Sequence, residues 1–177
     1  MSQIKVNSIV PKDGLPSGAS GGIIQVKQVI KTNVASFNGS TGNFSSNISG
    51  LTETITTQSN SSKVLIFLHT NYSTSSGQRG TFRILRGSTV LSVGDANGSV
   101  NRGLFPSVAP ADNDSRCVPC SMLIVDTPGS AGTHTYNVQG QAESSAGTVY
   151  INRTKGNNDA NTYHSGISTL TLMELGG

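Results

Sequence analysis

The sequence predicts an all-β protein: a two-sheet antiparallel jelly-roll sandwich of eight or nine strands, preceded by an extended N-terminal arm. Short segments alternate apolar and polar residues, which is the period of a β-strand. Nearly half of the 177 residues are Ser, Thr, Asn or Gly, and these residues favour turns and exposed strand faces. No segment has a convincing helical pattern. Short strands between polar turns are typical of a sandwich, and their number fits a jelly roll.

The same composition raises the question of disorder, because only 12% of the residues are charged and 5% are aromatic. Leu, Ile, Val and Phe nevertheless make up about a quarter of the chain, above the roughly 20% that marks disordered sequences. The formal net charge is only +3, whereas disorder usually accompanies a high net charge. The composition therefore indicates a folded domain.

The chain is predicted to divide into an arm, residues 1–21, and one jelly-roll domain, residues 22–177. The arm contains a short apolar stretch with one lysine, formed by Ile4, Lys5, Val6, Ile9 and Val10. Proline and glycine then interrupt any regular element as far as residue 22. Because such a segment cannot bury its own apolar side chains, it is predicted to lie against a neighbouring subunit or a larger assembly.

The first strand of the domain is predicted at residues 23–31. Its apolar face carries Ile24, Val26 and Ile30, and its polar face carries Gln25, Lys27 and Lys31. Residues 33–50 are polar and turn-rich, with room for one further short strand near Phe44. The remaining strands are predicted at 51–56, 63–71, 81–86, 89–93, 121–125, 133–142, 149–151 and 165–175. Residues 94–116 form a long loop, and loops of this length in a compact domain are usually functional or flexible.

Three of these strands, 63–71, 121–125 and 165–175, carry apolar residues on both faces. In a two-sheet sandwich each sheet normally turns one face to water. Leaving several Leu, Phe or Met side chains exposed forfeits several kcal/mol, at roughly 25 cal/mol per Å² of apolar area. The second face is therefore predicted to lie in a subunit interface, with burial under the long loops of the same subunit as the alternative.

The cysteines, histidines and carboxylates of the sequence form no recognisable catalytic or metal-binding motif. Cys117 and Cys120 are the two cysteines, and neither a second CxxC nor a histidine pair completes a zinc site. The sequence is compatible both with a local disulfide between these cysteines and with two free thiols. The carboxylates are spread thinly, and Asp112 and Asp114 lie in a Pro/Asn-rich loop where they serve as turn formers. No catalytic residue, metal site or cofactor is predicted, since the nucleophile-elbow, HExxH and P-loop motifs are also missing.

Nucleic acid and membrane are also weak candidate partners. The isoelectric point near 9.0 is only mildly basic, and the lysines and arginines form no dense basic block. No apolar run approaches the roughly 18 residues that a membrane helix needs. The sequence therefore predicts neither nucleic-acid binding nor membrane insertion.

Three segments resemble small virion proteins of tailed bacteriophages, notably marine ones, which are described as tail-fibre-like or structural. The segments are Ile4-Lys5-Val6-Asn7-Ser8-Ile9-Val10-Pro11, Gly22-Ile23-Ile24-Gln25-Val26-Lys27-Gln28 and Ser168-Thr169-Leu170-Thr171-Leu172-Met173-Glu174-Leu175. The resemblance is strongest at the two ends and weak in loops 33–50 and 94–116.

The resemblance implies a homotrimeric jelly roll similar to the tumour-necrosis-factor and complement globular-head folds. In such trimers the C-terminal strand runs near the threefold axis. The implied trimer-interface residues are Ile167, Leu170, Leu172, Met173 and Leu175. The arm would then attach the domain to other proteins of the virion. The resemblance supplies no catalytic residues.

Two functions follow as expectations. In the first, the protein is a tail-fibre or receptor-binding knob whose long loop contacts a host glycan or surface protein. Asn97, Arg102 and Phe105 are the predicted contacts, because an aromatic ring and an arginine can stack on a sugar or clamp a carboxylate. In the second, the protein is a capsid decoration or head-fibre protein whose trimers stabilise the shell, a role that the short chain favours.

Overall fold

The computed structural model describes residues 22–38, 43–75, 78–100, 102–104, 115–144, 147–156 and 159–176. These residues form two antiparallel β-sheets packed into a sandwich, which confirms the predicted fold class. The arm residues Ile4, Lys5, Val6, Ile9 and Val10 lie outside the described residues, as does the predicted loop contact Phe105.

The described residues contain ten strands, against the eight or nine predicted. They are β1 (Ile23–Lys31), β2 (Ala35–Asn38), β3 (Thr52–Thr57), β4 (Lys63–Thr74), β5 (Gly80–Arg86), β6 (Thr89–Leu91), β7 (Val118–Asp126), β8 (Gly132–Ala142), β9 (Thr148–Ile151) and β10 (Ser168–Leu175). The short strand expected near Phe44 lies earlier, at β2, and the last strand begins at Ser168 rather than at residue 165.

One sheet has six strands in the order β1-β10-β4-β9-β2, with β7 also paired to β4, and the other has the order β3-β8-β5-β6. Strand β4 is the long central strand of the larger sheet. On one side it pairs with β7, and on the other with β10 and then β9. Strand β1 pairs with β10, and strand β2 pairs with β9. The larger sheet is therefore four strand positions wide, and we call each position a column. Two columns hold one strand each, β7 and β4, and two are broken into two strands, β10 with β9 and β1 with β2.

The breaks in these two columns meet at Asn152, a fully buried residue with a backbone φ of 60°. Its side-chain Nδ2 donates to the carbonyl oxygens of Lys31, at 2.7 Å, and Asn33, at 3.2 Å. Its Oδ1 accepts a hydrogen bond of 2.6 Å from the Ser168 hydroxyl. Asparagine tolerates this left-handed backbone better than most residues do. Its side chain also satisfies the Lys31 and Asn33 carbonyl groups at the point where the columns are broken.

The core lies between the two sheets and is built from alternating inward residues. Tyr72 of β4 meets Phe82 of β5 edge-on, with ring centroids 5.1 Å apart. The other fully buried apolar side chains are Leu51, Ile55, Val64, Ile66, Leu68, Ile84, Tyr136, Val138, Ala142, Val149, Ile151, Leu170 and Leu172. Leu170 and Leu172 were predicted at a trimer interface. With no exposed surface, they contribute to the subunit's own core instead.

Buried polar contacts tie the two sheets together at one end of the sandwich. Asp126 of β7 accepts hydrogen bonds of 2.5 Å from the Arg86 guanidinium of β5 and 2.8 Å from the Tyr136 hydroxyl of β8. Burial and the bond to Asp126 raise the pKa of Tyr136. Glu174 of β10 is also fully buried. Its carboxylate accepts from Gln25 Nε2 at 2.6 Å, and from the backbone N–H of Gln58 and the Ser62 hydroxyl.

The close packing of β2 on β8 gives a first prediction. A Cβ added at Gly140 would overlap the ring of Phe37, so Gly140→Ala should lower the free energy of unfolding by about 1–3 kcal/mol. Urea unfolding measures the loss, and a second change, Phe37→Leu, should recover part of it. Gly94 has open space around it, so Gly94→Ala should stay within about 0.5 kcal/mol of wild type. Equal stability of the wild type and Gly140→Ala would contradict the packing.

Candidate assembly surface

The outer face of the larger sheet carries apolar side chains in all four columns. The strand registers place Val125, Leu65, Met173 and Val26 side by side, one from each of β7, β4, β10 and β1. We use the term apolar face for the outward apolar residues of these strands together with Ile167. They are Ile23, Val26, Ile30, Leu65, Phe67, Leu123, Val125, Ile167, Met173 and Leu175.

Seven members of the apolar face are between 38% and 56% exposed, and the other three are half-buried. The seven are Ile23, Val26, Ile30, Phe67, Leu123, Val125 and Ile167. Single exposed apolar residues are ordinary, but a contiguous patch on a monomer marks an interaction site. The prediction that strands 63–71 and 121–125 are apolar on both faces is confirmed, since Val64, Ile66 and Leu68 lie in the core and the partly buried Ile124 packs against it.

Strand β1 contributes three exposed apolar side chains, Ile23, Val26 and Ile30, to the outer face of the larger sheet. Its outward residues include Val26 and Ile30, whereas Gln25, Lys27 and Lys31 alternate with them on the other side. Lys31 is almost completely buried, and burial lowers the pKa of its amine. Val29 of the same inward row packs against the core, and Lys27 stays exposed. The exposed Val26 and Ile30 fit a sheet whose outer face is covered.

The outer face of the smaller sheet has the opposite character. Threonine hydroxyls pair across β3 and β8, Thr54 with Thr135 and Thr56 with Thr133, each at 3.1 Å. The other outward polar residues include Thr52, Arg83, Asn137 and Gln139. The two outer faces of the sandwich therefore differ, because the large exposed apolar side chains are concentrated on the face of the larger sheet.

The described part of the long loop does not cover the apolar face. The backbone N–H of Leu104 donates to the Phe82 carbonyl of β5 at 2.9 Å, so residues 102–104 lie against the smaller sheet. Asn97 and Arg102, two predicted receptor contacts, are both exposed. Burial under the subunit's own loops, the alternative explanation for the two-sided strands, therefore finds no support in the described loop residues.

The structure sorts the five predicted interface residues into two groups. Ile167, Met173 and Leu175 belong to the apolar face, whereas Leu170 and Leu172 point inward. The sequence did not identify Ile23, Val26 and Ile30 as members of this surface. The alternation in 23–31 showed that Val26 and Ile30 share a face, but the direction of that face depends on the pairing of β1 with β10.

Other chemistry is sparse among the described residues. Cys117 and Cys120 are free thiols, and partial burial raises the pKa of each. No three His, Cys, Asp or Glu side chains in the described segments lie close enough to hold a metal ion. These segments also contain no helix long and apolar enough to cross a membrane.

No protein-family model matches the chain, and no curated protein matches its sequence. Among solved structures, the chain is similar to a chain in the structure of infectious bursal disease virus, Gx strain. The identity is 12% and the TM-score is 0.47, over 98% of this chain and 47% of that one. The chain thus spans about half the length of the viral chain. We argue function from this chain's own residues.

Proposed function

We propose that the protein is a non-enzymatic structural component of a bacteriophage virion, a homotrimeric knob of the tail-fibre or receptor-binding type. The observation that carries this proposal is the apolar face, which a second copy of the same chain can cover. The resemblance of the two ends of the chain to small phage virion proteins supplies the biological setting. Closed symmetry is the usual form of such self-association.

In this assembly the apolar faces of three subunits turn toward one another and the polar sheets turn outward. Residues 1–21 serve as the attachment arm to other virion proteins. The exposed Asn97 and Arg102 belong to the loop that runs onto the smaller sheet. They are therefore available to a host glycan or surface protein while the trimer is intact.

Adsorption of phage particles to host cells tests the receptor-binding role. Particles carrying Arg102→Ala together with Asn97→Ala should adsorb at least tenfold more slowly while containing the normal amount of the protein. Val90→Ala, at a partly exposed residue of the hairpin strand β6, is the matched control and should adsorb normally. Normal adsorption of the double variant combined with fragile particles would contradict a receptor-binding knob and favour the capsid-decoration role.

A further inference from the structure

A group of polar side chains lies on the outer face of the smaller sheet, beyond the threonine pairs along β8. The register of β5 with β8 places Arg83 opposite Gln139 and Thr81 opposite Gln141, all pointing outward. The segment before β3 runs beside β8, where the backbone N–H of Ser45 donates to the Gly140 carbonyl at 2.7 Å. We use the term polar patch for the four outward residues and two side chains of that segment. Its members are Thr81, Arg83, Gln139, Gln141, Phe44 and Asn47.

Contacts on two sides hold the guanidinium of Arg83 in place. It lies over the ring of Phe44, 4.0 Å from the ring centroid. Its Nε and Nη2 both donate to Gln139 Oε1, at 2.9 and 2.7 Å. Gln139 Nε2 in turn donates to Asn47 Oδ1 at 2.9 Å, which sets the orientation of the Gln139 amide. These contacts fix the plane and the direction of the guanidinium.

The guanidinium of Arg83 keeps donors for a further partner. Of its five N–H groups, the bonds to Gln139 use two, and those left on Nη1 and Nη2 match the two oxygens of a carboxylate. The ion pairs among the described residues join Arg79 to Glu143 and Arg86 to Asp126, so none of these carboxylates pairs with Arg83. Burial lowers the pKa of Arg83. The polar patch therefore holds an oriented, partly buried cation without a counter-charge in the described part of the chain.

Gln141 adds an unpaired amide on the same face, two residues along β8 from Gln139. Its side chain is only 3% exposed. Within the described residues neither its Nε2 nor its Oε1 has a hydrogen-bond partner. Buried polar atoms without partners are costly, so a group that both donates and accepts would stabilise the polar patch by bonding to this amide. A sugar hydroxyl is such a group.

The loop after β6 brings a second cation to the edge of the polar patch. The backbone N–H of Leu104 donates to the Phe82 carbonyl at 2.9 Å, which places this part of the loop beside β5. A Cβ added at Gly103 would overlap the Thr81 hydroxyl, so the Gly103 backbone lies directly against the polar patch. The exposed Arg102 precedes Gly103 in the chain. Two arginines at one surface favour an anionic ligand.

We propose that the polar patch binds a carboxylated saccharide, with the sugar carboxylate on Arg83 and a ring hydroxyl at Gln141. This inference rests on the proposed receptor-binding role, for which it names the class of ligand. The guanidinium fork matches the carboxylate, and the surrounding amides match sugar hydroxyls, which an acidic peptide largely lacks. Because the polar patch lies on the smaller sheet, we expect a single subunit to bind as well as the proposed trimer does.

NMR titration of the labelled full chain with trigalacturonic acid and with sialyllactose tests the proposal. Wild type should bind at least one of them, with the largest amide shifts in β5 and β8. It should bind the matching neutral sugar, galactotriose or lactose, more weakly by about tenfold or more. Urea unfolding checks that each variant described below is folded.

Two substitutions test the assigned contacts. Arg83→Lys keeps the positive charge but loses the planar fork, and should weaken binding of the acidic sugar by about tenfold or more. Gln141→Met keeps the volume and removes the amide, and should weaken binding by about threefold or more. Arg153→Gln is the matched control, because Arg153 also stacks on a ring, that of Tyr150 at 4.1 Å, but outside the polar patch. It should bind as wild type does.

The outcomes separate this inference from the proposed function. No binding of either acidic sugar by wild type overturns the inference, and equally tight binding of triglutamate overturns the assignment to a saccharide. Unchanged affinity in Arg83→Lys overturns the carboxylate contact, and unchanged affinity in Gln141→Met means that Gln141 holds an ordered water only. If adsorption depends on Asn97 and Arg102 although no acidic sugar binds, the receptor-binding role stands and only the ligand class is overturned.

Discussion

Replacing Glu174 with alanine is expected to lower the free energy of unfolding by about 3–5 kcal/mol, a large part of the 5–15 kcal/mol typical of a domain. The side chain is fully buried, and its carboxylate accepts three hydrogen bonds, from Gln25, Gln58 and Ser62. Alanine removes all three acceptor contacts at once. Each donor left without a partner in a buried site costs about 1–3 kcal/mol.

The position of Glu174 explains why this effect is expected to be large. Gln25 also donates to the Thr56 carbonyl of β3 at 2.7 Å, so the network runs from β10 through β1 to the other sheet. Glu174 takes part in neither of the two ion pairs found among the described residues. The three groups that donate to its carboxyl oxygens are all neutral, so the site depends on their geometry.

Urea unfolding at matched protein concentrations measures the change. Glu174→Gln keeps the volume and one acceptor oxygen, so it should cost less, about 1–2 kcal/mol. Glu143→Ala is the matched control, because it breaks an exposed ion pair with Arg79 at 3.0 Å, and should cost less than 1 kcal/mol. A Glu174→Ala variant within 1 kcal/mol of wild type would show that the network contributes little.

Placing a carboxylate on the apolar face is expected to dissociate the proposed trimer. Leu123 of β7 is 56% exposed in the subunit, so Leu123→Asp should leave the folded subunit intact. In the assembly the same carboxylate would be buried without a partner, which costs several kcal/mol at each site. We expect the dissociation concentration to rise at least a hundredfold, since about 1.4 kcal/mol corresponds to a tenfold change.

Light scattering after size exclusion gives the mass directly. Wild type should have about three times the subunit mass of 18.3 kDa, and Leu123→Asp should have the mass of a single subunit. Val100→Asp is the control, since Val100 is 61% exposed but lies in the loop after β6. Circular dichroism checks that all three proteins are folded. A wild-type monomer would refute the trimer, and a Leu123→Asp variant that stays trimeric would place the interface elsewhere.

The strand content was predictable because short-range alternation reports it directly. The two-sided character of 63–71 and 121–125 followed from Leu65 and Phe67, and from Leu123 and Val125, without any tertiary information. The strand at 35–38 was missed because Phe37 is its single large apolar residue. That strand is held by its pairing with β9 and by the ring of Phe37 against Gly140, both of which are long-range contacts.

Where a strand is apolar on both faces, the sequence could not predict which face points into the core and which points outward. In β10 either the row with Leu170 and Leu172 or the row with Met173 and Leu175 can face the core. The first row also contains Glu174, and a carboxylate ordinarily faces water. Its inward position depends on donors from β1, from the residue after β3 and from the residue before β4. These segments are far apart in the sequence, so no local pattern reveals them.

The apolar face has a consequence for the protein between its synthesis and its assembly. In the proposed assembly, a newly made subunit would expose this surface until other copies cover it. Only 12% of its residues are charged, which gives weak electrostatic protection against indiscriminate association. Within the described residues β7 pairs only with β4, so its other edge adds unpaired backbone groups beside Leu123 and Val125. For the proposed trimer to form, the rate at which a free subunit meets its own copies must exceed the rate at which it associates with other surfaces.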